Sequence, residues 1–148
     1  MNKIYFEKVP VIDSLQLEKI LFSYENIPIL FIWVDKNNIR YLCLCDDLID
    51  EESWIIVPIP TDTLLDVLNN KITVLSAFKD RKIIIANRGF DEDVKYSIEE
   101  YNKIDPDELP LSDQYLEMKE YLSDYIDEIS WYMAQTQVPS ILLSNIVI

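Results

Sequence analysis

The chain has 148 residues, 49% of them hydrophobic and 27% charged, with a formal charge of −14 and no histidine. That length suits a single domain over 1–148 with its own core, and the composition excludes a disordered chain. So acidic a balance argues against direct binding to nucleic acid or an anionic membrane, because phosphates are held by clusters of lysine and arginine. The densest basic spot is Arg81-Lys82.

Residues 3–9 alternate well enough for a short strand, closed by Pro10, which has no N–H to give a ladder. This N-terminus lacks the apolar core of a secretory leader and no stretch is apolar enough to span a bilayer, so a soluble cytoplasmic protein is expected. From Leu15 to Tyr24 the pattern fits a helical face through Leu17, Ile20, Leu21 and Tyr24, or a strand feeding into a sheet. A strand from about Lys19 is expected.

Three apolar runs then occupy Ile29 to Pro60, rich in β-branched and aromatic residues and bounded by turn residues. They read as three successive antiparallel strands. Phe31, Trp33, Tyr41 and Cys43 alternate with Leu30, Ile32, Leu42 and Leu44, so the first two strands have no polar face. Such a hairpin belongs in the interior of a sheet covered on both sides. Cys43 and Cys45 are the only cysteines. Their Cα atoms would lie about 6.5–7 Å apart along an extended strand, near the limit for a disulfide, so buried thiols are expected. Without histidine, two cysteines cannot complete a zinc site. Five carboxylates fall between Asp46 and Glu52, but their spacing matches no EF-hand and lacks its glycine, which favours a solvated connection over a calcium loop.

After Pro60, Thr61 or Asp62 is a suitable N-cap for a helix through Leu64, Leu65 and Leu68 with an Asn C-cap. A second short helical turn is predicted over Thr73–Phe78, then a buried strand over Ile83–Ala86 left through an Asn87-Arg88-Gly89 turn, with a partner strand over Val94–Ile98. Gly89 is the only glycine, which excludes glycine-rich nucleotide loops and leaves Asn37-Asn38 and Asn69-Asn70 to supply left-handed backbone. Pro106 and Pro110 make the next segment an irregular loop.

Charge is unevenly placed. Residues 1–90 carry 13 acids against 10 bases, a net of −3, whereas residues 91–128 carry 14 acids against 3 bases, a net of −11. Within that acidic region a long helix is predicted from Ser112 or Asp113 to Ala134. Tyr115, Met118, Tyr121, Leu122, Tyr125, Ile126, Ile129, Tyr132 and Met133 fall on one face, the expected buried one. Glu117, Glu120, Asp124, Asp127 and Glu128 gather on another, where like charges at i, i+3 and i+4 cost roughly 0.2–0.5 kcal/mol per pair. Charged helix faces are usually just solvated, and Trp131 could fold under the tail Val138–Ile148. An aromatic ring beside carboxylates is nevertheless the composition of a protein contact site, so these five acids and Trp131 are the candidate partner-binding residues.

From Pro28 to about Leu116 the chain resembles a family of small bacterial proteins defined only as a domain of unknown function. The likeness rests on Pro28-Ile29-Leu30-Phe31, Tyr41-Leu42, Trp54 to Val57-Pro58, the Leu64–Leu68 helix, Ile72 to Phe78, and Leu109-Pro110. It implies a compact α+β fold and carries no catalytic residue with it.

The expected architecture is thus α+β, an antiparallel sheet of about five to six strands with two short helices and one long C-terminal helix. Absence of histidine removes the commonest general base, and the single glycine argues against strained catalytic turns, so the sequence points away from an enzyme and implies no cofactor or metal. The function this implies is that of an acidic interaction protein of inhibitor, immunity or antitoxin type with a basic protein partner, since opposed charge speeds association. Two alternatives stand beside it: a mimic of nucleic-acid charge occupying a DNA-binding groove, and a carboxylate-metal hydrolase.

Overall fold

A computed structural model describes residues 16–25, 27–47, 51–89, 95–116 and 122–134. The fold is α+β, built on a six-stranded antiparallel sheet in the order β1-β2-β3-β4-β5-β6, each strand paired with its neighbours in sequence. The strands are β1 (Gln16–Tyr24), β2 (Ile27–Val34), β3 (Arg40–Asp47), β4 (Glu51–Pro58), β5 (Lys82–Gly89) and β6 (Lys95–Glu100). The ambiguity of this stretch is resolved as strand over Gln16–Tyr24. The β2–β3 hairpin lies inside the sheet, as its two apolar faces require.

Its turn is built by one side chain. Asp35 Oδ1 accepts hydrogen bonds from the backbone N–H groups of Asn37 (2.8 Å) and Ile39 (3.0 Å), and Asn38 takes the left-handed conformation at φ 64°. Asn70 does the same at φ 58° after the first helix, and Glu25 and Asp80 also adopt positive φ. Asparagine reaches this region more cheaply than other non-glycine residues.

One rung of the sheet runs Ile20, Phe31, Cys43, Ile56, Ile84, Ile98 across all six strands. Because side chains alternate between faces, the inner members of this rung share a buried layer with Trp33, Tyr41, Cys45, Trp54 and Ala86. Cys43 and Cys45 are buried thiols with no disulfide between them. Burial pushes the Cys43 thiol well above its usual pKa, which keeps it protonated and unreactive. The opposite face carries Leu30, Ile32, Leu42, Ile55, Val57 and Ile83, and both helices pack there.

Helix α1 (Thr61–Leu68) buries Leu64, Leu65, Val67 and Leu68 against that face. Its N-cap is Pro60, whose side chain cannot cap, rather than Thr61 or Asp62; Asp62 instead sits in the first turn, where a carboxylate favours the helix dipole. The turn predicted after it is a 3-10 turn, Val74–Ala77, and the proline-bearing loop contains another, Pro106–Glu108. The Asn87-Arg88-Gly89 turn is not formed. β5 continues through Gly89, and no glycine has positive φ, because Glu51 and Glu52 of β4 still have Gly89 and Arg88 as partners.

The long C-terminal helix is corrected more substantially. The described helix, α2, spans 123–134, about 12 residues. Leu111–Gln114 forms a turn closed by the Gln114 N–H to the Leu111 carbonyl, and the Gln114 carbonyl accepts from the Val74 N–H at 3.0 Å. A helix running through this point would spend that carbonyl internally. Leu116 inserts into the core while Tyr115, expected on the buried helical face, is 52% exposed. Met118 and Tyr121 lie outside the described residues, as do the strand expected over 3–9 and the tail Val138–Ile148. No helix among the described residues is long and apolar enough to cross a membrane.

Candidate functional site

Within β1 the pairing with β2 slips between Leu17 and Lys19, opposite Trp33 and Ile32, so Glu18 is an extra residue, a β-bulge. A bulge re-aims its side chain, and here the carboxylate meets Arg40, the first residue of β3. Arg40 donates through Nε to Glu18 Oε2 at 2.8 Å and through a terminal nitrogen to Oε1 at 3.1 Å, a bidentate pair. The Tyr125 hydroxyl of α2 donates to the same Oε2 at 2.6 Å. The Arg40 guanidinium carbon lies 5.1 Å from the centre of the Tyr132 ring, within cation–π range. One guanidinium and one carboxylate thereby join β1, β3 and α2.

Burial opposes the Arg40 charge, but the hydrogen bonds and attraction of Glu18 outweigh it and hold the pKa above the ordinary arginine value. Burial, then the adjacent Glu18, also pushes the Tyr125 hydroxyl far above the usual tyrosine range. Both groups are therefore locked in their ordinary protonation states at neutral pH. The clamp ties Glu18, Arg40 and Tyr125 to one another and so fixes the position of α2 on the sheet.

Beside the clamp lies an open depression of about 590 Å³ lined by Glu18, Arg40, Asp127, Glu128, Ile129, Trp131 and Tyr132. Tyr125 and Ile129 are buried under α2, while Asp124, Asp127 and Glu128 are exposed and Trp131 is 65% exposed. Residues 124, 127, 128 and 131 follow i, i+3, i+4, i+7 and so form one stripe. Of the residues singled out from sequence, the fold brings Asp127, Glu128 and Trp131 to the depression. Asp124 is on the same helix outside its lining, and Glu117 and Glu120 lie outside the described residues.

Neither Glu18 nor Arg40 stands out in the sequence, and Tyr132 is expected there only on the buried helical face. They are separated from Tyr125 by up to 107 positions, and only a carboxylate set among the apolar residues of β1 hinted at a specific role. No group of three or more cysteine or carboxylate side chains arranged to hold a metal occurs among the described residues. Comparison of the chain with protein-family models, curated proteins and solved structures returned no match. The resemblance to a bacterial domain of unknown function therefore rests on the Pro28–Leu116 pattern alone.

Proposed function

We propose that this chain is a non-catalytic interaction protein that presents the acidic, tryptophan-bearing stripe of α2 to a basic surface of another protein, as inhibitors, immunity proteins and antitoxins do. The observation that carries this reading is Trp131, 65% exposed at the rim of a depression that also bears Asp127 and Glu128. A large aromatic ring left in water loses the gain of burial, and tryptophan is the residue type most enriched among interface anchors. Among the described residues of the depression three carboxylates stand against one guanidinium already engaged by Glu18, so a lysine or arginine from a partner meets a net negative surface. The clamp supports the same reading, because a contact surface held rigid loses less entropy on binding.

The test is capture from the native host with the full chain and with two variants. Asp127→Lys/Glu128→Lys is expected to abolish capture of a basic protein and Trp131→Ala to weaken its affinity by roughly thirtyfold, about 2 kcal/mol. Affinity of the unaltered chain falls as salt rises. A partner retained equally by all three proteins removes α2 from the interaction.

A further inference from the structure

A second cavity, sharing no residue with the α2 depression, opens where the ends of β1, β2 and β3 meet the loop 105–116. Its volume is about 450 Å³, within the roughly 300–1,000 Å³ usual for sites that take small organic molecules. Its walls are aliphatic: Leu21 and Leu30 from the sheet, Leu44 from β3, Val74 from the 3-10 turn, and Leu109 and Leu116 from the loop. Three large apolar side chains from different parts of the chain line it while still exposed, Phe22 at 39%, Tyr115 at 52% and Leu111 at 70%. Apolar surface converging in this way marks a binding site more often than chance exposure does.

Among the described residues, the charged part of the lining has one sign. Asp107 and Glu108 line the cavity, and neither carboxylate is held by a hydrogen bond or ion pair to another described residue. Asp105, two residues away, is the side chain that closes the local turn, accepting from the Asp107 N–H at 3.0 Å. Among the described residues, no lysine or arginine lines the cavity. An apolar cleft bearing two unneutralised carboxylates focuses negative potential. We infer that this cavity binds a hydrophobic amine, a small organic cation whose aliphatic or aromatic body fills the leucine-lined interior and whose charged nitrogen lies at Asp107 and Glu108. An anionic amphiphile of the same shape is repelled, and a neutral one gains only the apolar contribution.

The experiment compares n-octylammonium, n-octanol and n-octanoate, matched in their apolar body, by calorimetric titration of the full chain. Octylammonium is expected to bind saturably at one site, roughly fivefold tighter than octanol, with octanoate weakest. Asp107→Asn/Glu108→Gln, at exposed positions, should erase the preference for the cation while leaving octanol binding in place. Leu44→Trp fills the interior and should abolish binding of all three; if it fails to fold, the carboxylate variant alone decides. The inference is overturned if neither octylammonium nor octanol binds saturably, or if octanoate equals octylammonium. It is also overturned if Glu99→Gln/Glu100→Gln, which alters carboxylates outside the cavity, weakens octylammonium as much as Asp107→Asn/Glu108→Gln does.

Discussion

Glu18 is the residue on which the attachment of α2 to the sheet turns. It accepts two hydrogen bonds from Arg40 and one from Tyr125, and its side chain is 25% exposed against 11% for Arg40. Removing a carboxylate from such a pair strands a charge that is mostly out of water, and stranding costs more than the pair itself contributes. Glu18→Ala is expected to destabilise the protein by about 2–3 kcal/mol, below the roughly 3–5 kcal/mol of a fully buried pair because Glu18 is partly solvated. Tyr125→Phe loses one charge-assisted hydrogen bond and should cost about 1.5 kcal/mol. Urea unfolding of both variants, with Glu18→Ala/Arg40→Ala closing a double-mutant cycle, measures the coupling. A loss below about 0.5 kcal/mol for Glu18→Ala would mean that the bulge places an ornamental ion pair.

At the scale of elements, α2 is too short to persist alone, since isolated helices below about 12–15 residues are marginal even with favourable sequences. Its buried side must therefore supply its stability, and its exposed side is available for contact. Ile129→Ala is expected to cost about 2–4 kcal/mol of unfolding free energy, whereas Trp131→Ala, at a solvated position, should stay within about 0.5 kcal/mol. If Trp131→Ala proved as destabilising as Ile129→Ala, the ring would be packing rather than presenting itself. The division between Tyr125 or Ile129 and Asp127 or Glu128 was legible in the sequence because helical periodicity fixes it wherever the helix exists. The extent of the helix was not legible. Ser112 and Asp113 are suitable helix caps in the sequence, but the Gln114 carbonyl is claimed by Val74, 40 positions earlier, and Leu116 by the core. Competition of that kind leaves no local trace. The central strands were legible for the opposite reason: Phe31, Trp33, Tyr41 and Cys43 alternate with Leu30, Ile32 and Leu42, and only a sheet buried on both faces satisfies both sets. Glu18 and the Leu44–Leu109 cavity needed tertiary structure, since each brings together segments whose separation no pattern encodes.

For the whole molecule, the absence of histidine shapes how stability responds to pH. No side chain with an ordinary pKa between about 5 and 8 is present, so stability should be nearly flat between roughly pH 6 and 8. The alkaline decline begins with Cys43, whose buried thiol keeps its proton in the folded chain while the unfolded one ionises above about pH 8.5, and tyrosines carry it further. Burial, followed by the charge of Asp35, to which its hydroxyl donates at 3.1 Å, lifts Tyr41 to a pKa of about 12, and Tyr125 is lifted further by burial and Glu18. A neutral acid whose pKa is higher in the folded state holds its proton more tightly there. The stabilisation is thus complete below the unfolded value near 10 and is lost as pH rises through the folded value. Tyr41 should contribute on the order of 1–2 kcal/mol that disappears between about pH 10 and 12, after allowing for screening at its hydroxyl, and Tyr125 should extend the decline to higher pH. Melting temperature followed from pH 7 upward, together with phenolate absorbance, measures this. Tyr41→Phe/Tyr125→Phe, less stable at neutral pH because two hydrogen bonds are gone, should lose its stability more slowly above pH 10. An alkaline slope identical to that of the unaltered chain would assign the decline to the Cys43 thiol, lysine deprotonation and the growing repulsion of a molecule already at −14.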